Sequence, residues 1–121
     1  YGDSYLNFKI KKIIKNNNLA RMAIFKNNNN FDKSNIELKE LDKIRYYKKQ
    51  QTKKLKYIDY GVSYVNKKIF KVTKKKKFDL SDLYDEISKK NQLNSYIVKK
   101  RFYEIGSYSG IKDFENYLKK Q

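Results

Sequence analysis

The run Tyr57-Ile58-Asp59-Tyr60-Gly61-Val62-Ser63-Tyr64-Val65 is the strongest constraint on what this chain can fold into. Its β-branched and aromatic residues favour a strand, and a glycine inside such a run marks a bulge or a close approach of a ligand or another backbone. Two further stretches place a carboxylate where an apolar, strand-like run stops and a small residue lets the backbone turn. These are Tyr1-Gly2-Asp3-Ser4-Tyr5-Leu6 and Arg101-Phe102-Tyr103-Glu104-Ile105-Gly106-Ser107-Tyr108-Ser109-Gly110. Sheet enzymes expose acids in this way at the C-terminal ends of strands. Asp3 and Glu104 are therefore the expected metal pair, and Mg²⁺, which takes oxygen ligands and substrate phosphates, is the expected ion. On its own residues Asp3, followed by Ser4, fits a helix N-cap or turn equally well.

Between these ends the pattern alternates strand and helix. Tyr1 to Asp3 reads as the end of a buried strand, and Phe8 to Lys15 as a helix with Phe8, Ile10, Ile13 and Ile14 on one face, ended by Asn16-Asn17-Asn18. Leu19 to Phe25 suits a strand, and Asn27 to Asn30 an inert loop. Ile36–Leu38 and Ile44–Tyr47 form two short strands about a turn at Glu40-Leu41-Asp42, with Lys48 closing the second. A polar connector covers 50–56, and Lys67 to Phe70 make one helical turn. Asp79 caps a helix packed through Leu80, Leu83, Tyr84 and Ile87, with acids early and lysines late. Asn91 to Asn94 turn the chain, Tyr96 to Ile105 lead to Glu104, and Ser109 to Lys120 form a helix with Ile111, Phe114, Tyr117 and Leu118 inward.

Composition removes several chemistries. With no cysteine and no histidine, the chain can make no disulfide, thiolate site, Ser-His or Cys-His nucleophile, or ordinary zinc site. At 121 residues and 39% hydrophobic it is expected to be one domain, 1–121, a folded sheet-and-helix unit. No window approaches a membrane span or a signal peptide, so no membrane partner and a cytoplasmic location are expected. The net charge of +17 invites nucleic-acid binding. Inflated Lys, Asn, Ile and Tyr throughout favour base composition as the source of that charge, so nucleic acid is not the expected partner. The run Lys74 to Lys77 reads as a solvated loop.

Gly2-Asp3 and Glu104-Ile105-Gly106-Ser107 resemble the two metal-binding stretches of the sugar-phosphate nucleotidyltransferases, in particular the heptose-1-phosphate guanylyltransferase-like branch. Lys33-Ser34-Asn35-Ile36-Glu37, Tyr46-Tyr47-Lys48, Tyr57 to Ser63 and Phe78 to Tyr84 follow in that family's order, so the resemblance covers almost the whole chain. It implies an α/β fold, part of a Rossmann-like, GT-A-like mixed sheet. It implies transfer of a nucleotidyl group from a nucleoside triphosphate to a sugar 1-phosphate, releasing pyrophosphate and requiring Mg²⁺. Asp3 and Glu104 would hold the metal, Lys48 would meet the sugar phosphate as the catalytic lysine, and Asn35, Asp59, Tyr60 and Gly61 would line the sugar pocket.

Lys48 departs from the pattern: Tyr47 precedes it in place of an acid, and no proline follows. The family's glycine-rich phosphate loop has no counterpart among Gly2, Gly61, Gly106 and Gly110. The expectation is a C-terminal half, inactive alone, whose partner is the missing N-terminal half of the same enzyme. Two alternatives stand beside it: a basic nucleic-acid-binding module, and a non-catalytic relative that binds sugar phosphates without metal.

Overall fold

The computed structural model describes every residue except 1, 16, 31 and 72–75. The start of the first expected strand (Tyr1), the expected helix stop at Asn16 and half of the tetralysine run (Lys74, Lys75) therefore lie outside the described residues. The architecture is mixed α and β. Among the described residues seven strands run β1 (Ser4–Tyr5), β2 (Ala20–Lys26), β3 (Ile36–Leu38), β4 (Ile44–Tyr46), β5 (Tyr57–Val65), β6 (Leu93–Val98) and β7 (Tyr103–Glu104). Two α-helices, α1 (Leu80–Lys89) and α2 (Tyr108–Lys119), complete the elements that position the site.

Five strands make one mixed sheet in the order β4-β3-β5-β2-β6. β2 lies antiparallel to β5 and parallel to β6. The two outer parts of this sheet also approach one another, since Lys43 bridges to Asn94. Because successive side chains of a strand point to opposite faces, β2 feeds two cores. Ala20, Met22 and Ile24 join Ile44, Leu83, Ile87 and Leu93 under α1. Ala23 and Phe25 join Ile13, Tyr60, Phe8 and Phe102 on the other face. A strand covered on both sides reads as a nearly continuous apolar run, as Met22 to Phe25 does.

β5 carries the irregularity announced by Gly61. Met22 pairs with Ser63 while Ile24 pairs with Asp59, so three residues of β5 face Ala23 alone. Gly61 sits at φ +94°, a backbone region that side chains rarely adopt, and a β-carbon there would meet nothing within 4 Å. The glycine is thus required by its backbone angle; no other backbone crowds it. The resulting bulge re-aims Asp59 and Tyr60, as bulges next to functional sites commonly do.

β1 and β7 form a separate two-stranded ribbon, with Ser4 opposite Glu104 and Tyr5 opposite Tyr103. α2 covers it with aromatic rings: Tyr103 and Tyr117 stack at 4.6 Å, and Tyr5 meets Phe114 at 4.8 Å. Asn7 joins ribbon and sheet, donating its backbone N–H to the Tyr60 hydroxyl (3.1 Å) and its side-chain amide to the Tyr117 hydroxyl (2.9 Å).

Several expectations are corrected. The first strand starts after Asp3 and is exposed, because its partner is the short β7 and not the main sheet. The helix expected over Phe8 to Lys15 shrinks to a 3-10 turn at Ile10–Ile13. Lys9 offers no capping side chain, and Ile10 and Ile14 face solvent. Leu80, Ile111 and Leu118, placed inward by helical spacing, are exposed, because Phe78 and the aromatic pair Phe114–Tyr117 take the packing positions. The asparagine loop is not inert: Asn27 is fully buried and donates to the Asp32 carbonyl (2.5 Å) and the Ser34 hydroxyl (3.2 Å).

Candidate functional site

A cavity of about 370 Å³ opens between the ribbon and the bulged part of β5. Asp3 and Glu104 line it from the ribbon, Asp59, Tyr60 and Gly61 from β5, and Asn35 from the loop before β3. Six of the residues singled out from the sequence, drawn from four separated stretches, therefore meet around one space.

The two acids are brought together by β1 pairing with β7, reinforced by the Ile105 N–H donating to the Asp3 carbonyl at 2.7 Å. Gly106 leaves room for both. A β-carbon on it would overlap Glu104 Oε1 and lie 3.1 Å from Asp3 Oδ2, so both oxygens lie within 3.1 Å of one point. The other Glu104 oxygen, Oε2, accepts from the Ser107 hydroxyl at 2.9 Å, and Ser107 caps α2 by accepting the Gly110 N–H at 3.1 Å. Glu104 is thus anchored at the positive end of a helix with one oxygen facing Asp3. No lysine or arginine among the described residues forms an ion pair with either acid.

Two carboxylate oxygens this close suit a hard cation. Among the described residues no group of three acids gathers as a metal cage. A pair fits Mg²⁺ all the same, since that ion is ordinarily held by one or two carboxylates and completes its shell with water and substrate phosphates.

On the opposite wall Asp59 accepts the Gly61 N–H at 2.8 Å. Burial pushes the Asp59 carboxyl above the usual range, against that hydrogen bond, which pulls it down. The Asn35 side-chain oxygen accepts the Asp59 N–H at 3.2 Å, and its NH₂ donates to none of the described residues. Tyr60 borders the cavity while almost fully buried: its ring packs among Phe8, Phe25 and Phe102, and its hydroxyl accepts from Asn7. Burial raises the Tyr60 hydroxyl pKa above its ordinary value.

Lys48 is not brought to this space. It lines a different cavity, of about 570 Å³ beside α1, where its ammonium pairs with Asp82 and its N–H donates to Asp85 at 3.1 Å. The hydrogen bond it donates to Asp82 holds the ammonium above the ordinary lysine range. Among the described residues the basic residue lining the 370 Å³ cavity is Lys33, whose ammonium donates to Gln50 at 3.2 Å. The family resemblance covers the stretch Lys33 to Glu37 as a whole and assigns Lys33 no role. Its place just before Asn35 was the available signal. Asp32 and Tyr46 also line the cavity.

No family model matches the sequence, and no curated protein matches it. Among the described residues, no helix is long and apolar enough to cross a membrane.

Proposed function

We propose that this chain carries the sugar-phosphate and metal-binding side of a nucleotidyltransferase that joins a nucleoside triphosphate to a sugar 1-phosphate and releases pyrophosphate. The observation that carries the reading is the meeting of Asp3 and Glu104, from opposite ends of the chain, across one cavity from Asn35, Asp59, Tyr60 and Gly61. The mixed sheet is compatible with the GT-A-like architecture this reading requires.

The reaction is an in-line displacement: a sugar-phosphate oxygen attacks the α-phosphorus and pyrophosphate leaves. It needs positioning and charge neutralisation more than a side-chain nucleophile, which agrees with a chain that has no histidine or cysteine. Asp3 and Glu104 would hold Mg²⁺, which when bound supplies Lewis-acid neutralisation of phosphate oxygens. Ser107 fixes the carboxylate of Glu104 so that one oxygen stays turned toward Asp3. Asp59 and the Asn35 amide offer an acceptor and a donor for sugar hydroxyls. Lys33 supplies a compact positive charge for the sugar phosphate. In this reading Lys48 contributes only after leaving Asp82.

The test is calorimetric titration of the chain with a panel of sugar 1-phosphates, with and without Mg²⁺, for the wild type, Asp3→Asn and Glu104→Gln. Metal-dependent binding that both substitutions abolish is expected. Sugar-phosphate binding that ignores both the metal and the two substitutions would sink the metal role and leave the non-catalytic alternative.

A further inference from the structure

The lysines of this chain are not evenly neutralised. Beside α1, Arg45, Lys48 and Lys89 each meet Asp82 or Asp85. A second groove, of about 630 Å³, runs between the segment leading into the 3-10 turn and the end of β6, and its lining contains no acid. Lys9 and Lys12 stand on one wall, Lys99 and Lys100 on the other. All four are exposed, and none forms an ion pair with a described residue. Lysines far apart in sequence thus converge on one unneutralised channel, which a merely lysine-rich composition does not require.

The channel is also held in shape. Arg21 bridges its walls, donating Nε–H to the Ser95 carbonyl at 3.2 Å and an Nη1–H to the Lys12 carbonyl at 3.0 Å. The same guanidinium lies 5.1 Å over the Tyr96 ring, and Phe8 lies 6.0 Å from that ring. The lining is therefore cationic along both walls with an aromatic floor.

We propose that this groove binds a single strand of nucleic acid, its phosphates on Lys9, Lys12, Lys99 and Lys100 and its bases against the Tyr96–Phe8 floor. Positive walls that track a backbone beside aromatic rings are the means by which single strands are held without sequence preference. A concave channel suits a strand better than a bilayer, into which apolar groups must protrude. The proposal is independent of the nucleotidyltransferase reading, whose residues line another cavity.

The experiment is fluorescence anisotropy of a labelled oligothymidylate with the whole chain between 50 and 200 mM salt. One variant replaces Lys9, Lys12, Lys99 and Lys100 with alanine. A second, of equal net charge, replaces the exposed Lys39, Lys54, Lys67 and Lys112. Each phosphate contact on a single strand contributes about 0.7 to the slope of log affinity against log salt. The groove variant should therefore lose about 3 from that slope and bind roughly tenfold or more weakly at 0.1 M salt. The control variant should keep the wild-type slope to within about 1. Equal losses in both variants would mean that net charge alone binds the strand, and would overturn the proposal. So would a duplex of the same length binding as tightly, or anionic lipid vesicles capturing the protein while the oligonucleotide does not.

Discussion

The carbonyl of Glu104 crosses the first turn of α2 so closely that a β-carbon on Gly110 would overlap its oxygen. The obstacle is backbone, which cannot swing aside as a side-chain tip can. Gly110→Ala gains helix propensity of about 1 kcal/mol but must push α2 away from β7, and overpacking of this kind costs typically 1–3 kcal/mol or more. A net loss of stability is expected in urea denaturation, and an unchanged or raised midpoint would show that α2 does not pack as described.

Gly106 gives the opposite case, since the atoms its β-carbon would displace are the carboxylate tips of Glu104 and Asp3. Those tips can move, so Gly106→Ala should change stability by less than about 1 kcal/mol. It should also force apart the two oxygens proposed to share Mg²⁺, weakening Mg²⁺ binding by roughly tenfold or more, as loss of a group that orients a metal ligand does. Calorimetric titration with Mg²⁺ reads the second effect and thermal melting the first. Full retention of metal affinity would argue that the pair does not act as one site.

Where the fold depends on local pattern, it was legible in the sequence. The strand-like run from Tyr57 forms β5 over the whole of Tyr57–Val65, the hairpin turns at Glu40–Asp42, and Asp79 takes the N-cap position of α1, although its side chain makes no capping hydrogen bond. Where the outcome depends on which element lies alongside, it was not. Helical spacing makes Ile111 and Leu118 apolar-face residues, yet among the described residues the apolar packing of α2 is on the narrow β1–β7 ribbon, which Phe114 and Tyr117 fill. Lys48 and Lys33 are both lysines near the end of a short segment. What separates them is Asp82, brought beside Lys48 by the docking of α1 and invisible to any local reading. The Asn27 to Asn30 run looks like filler, but the positive φ of Asn28 and Asn29 turns the chain so that Asn27 can tie the loop leading to Lys33 and Asn35.

Two buried serines should respond in opposite ways to loss of the hydroxyl. Ser88 Oγ accepts the Tyr46 N–H and an Arg45 Nη1–H, each at 3.0 Å, and donates to the Asp85 carbonyl at 3.0 Å, fastening α1 to β4. Ser88→Ala strands the Tyr46 N–H away from water and should cost about 1–3 kcal/mol. Ser95 Oγ is buried with no hydrogen-bond partner among the described residues, so Ser95→Ala removes an uncompensated polar atom and should be neutral or stabilising. Denaturant midpoints of the two variants decide the matter: a loss at Ser95 as large as that at Ser88 would contradict the Ser95 assignment, and no loss at Ser88 would contradict the other.

Asp59 should leave its mark on the pH dependence of stability. Burial raises its carboxyl pKa in the folded chain, whereas the unfolded chain ionises it near the ordinary value of about 3.9. Between those two values the folded state holds the proton more tightly than the unfolded state. Stability contributed by Asp59 is therefore full below about 3.9 and is lost as pH rises through the window. Glu37 and Asp85 act in the other direction. Hydrogen bonding from Lys53 lowers Glu37, and for Asp85 bonds from Lys48 and Arg45 outweigh burial. Their contributions fade as pH falls. Comparing the wild type with Asp59→Asn cancels them, because both proteins keep those pairs and the asparagine oxygen can still accept the Gly61 N–H. The melting temperature of Asp59→Asn relative to wild type should climb as pH is raised from about 4 toward neutrality. A difference that stays flat with pH would mean that the Asp59 carboxylate is solvated and not enclosed by the cavity wall.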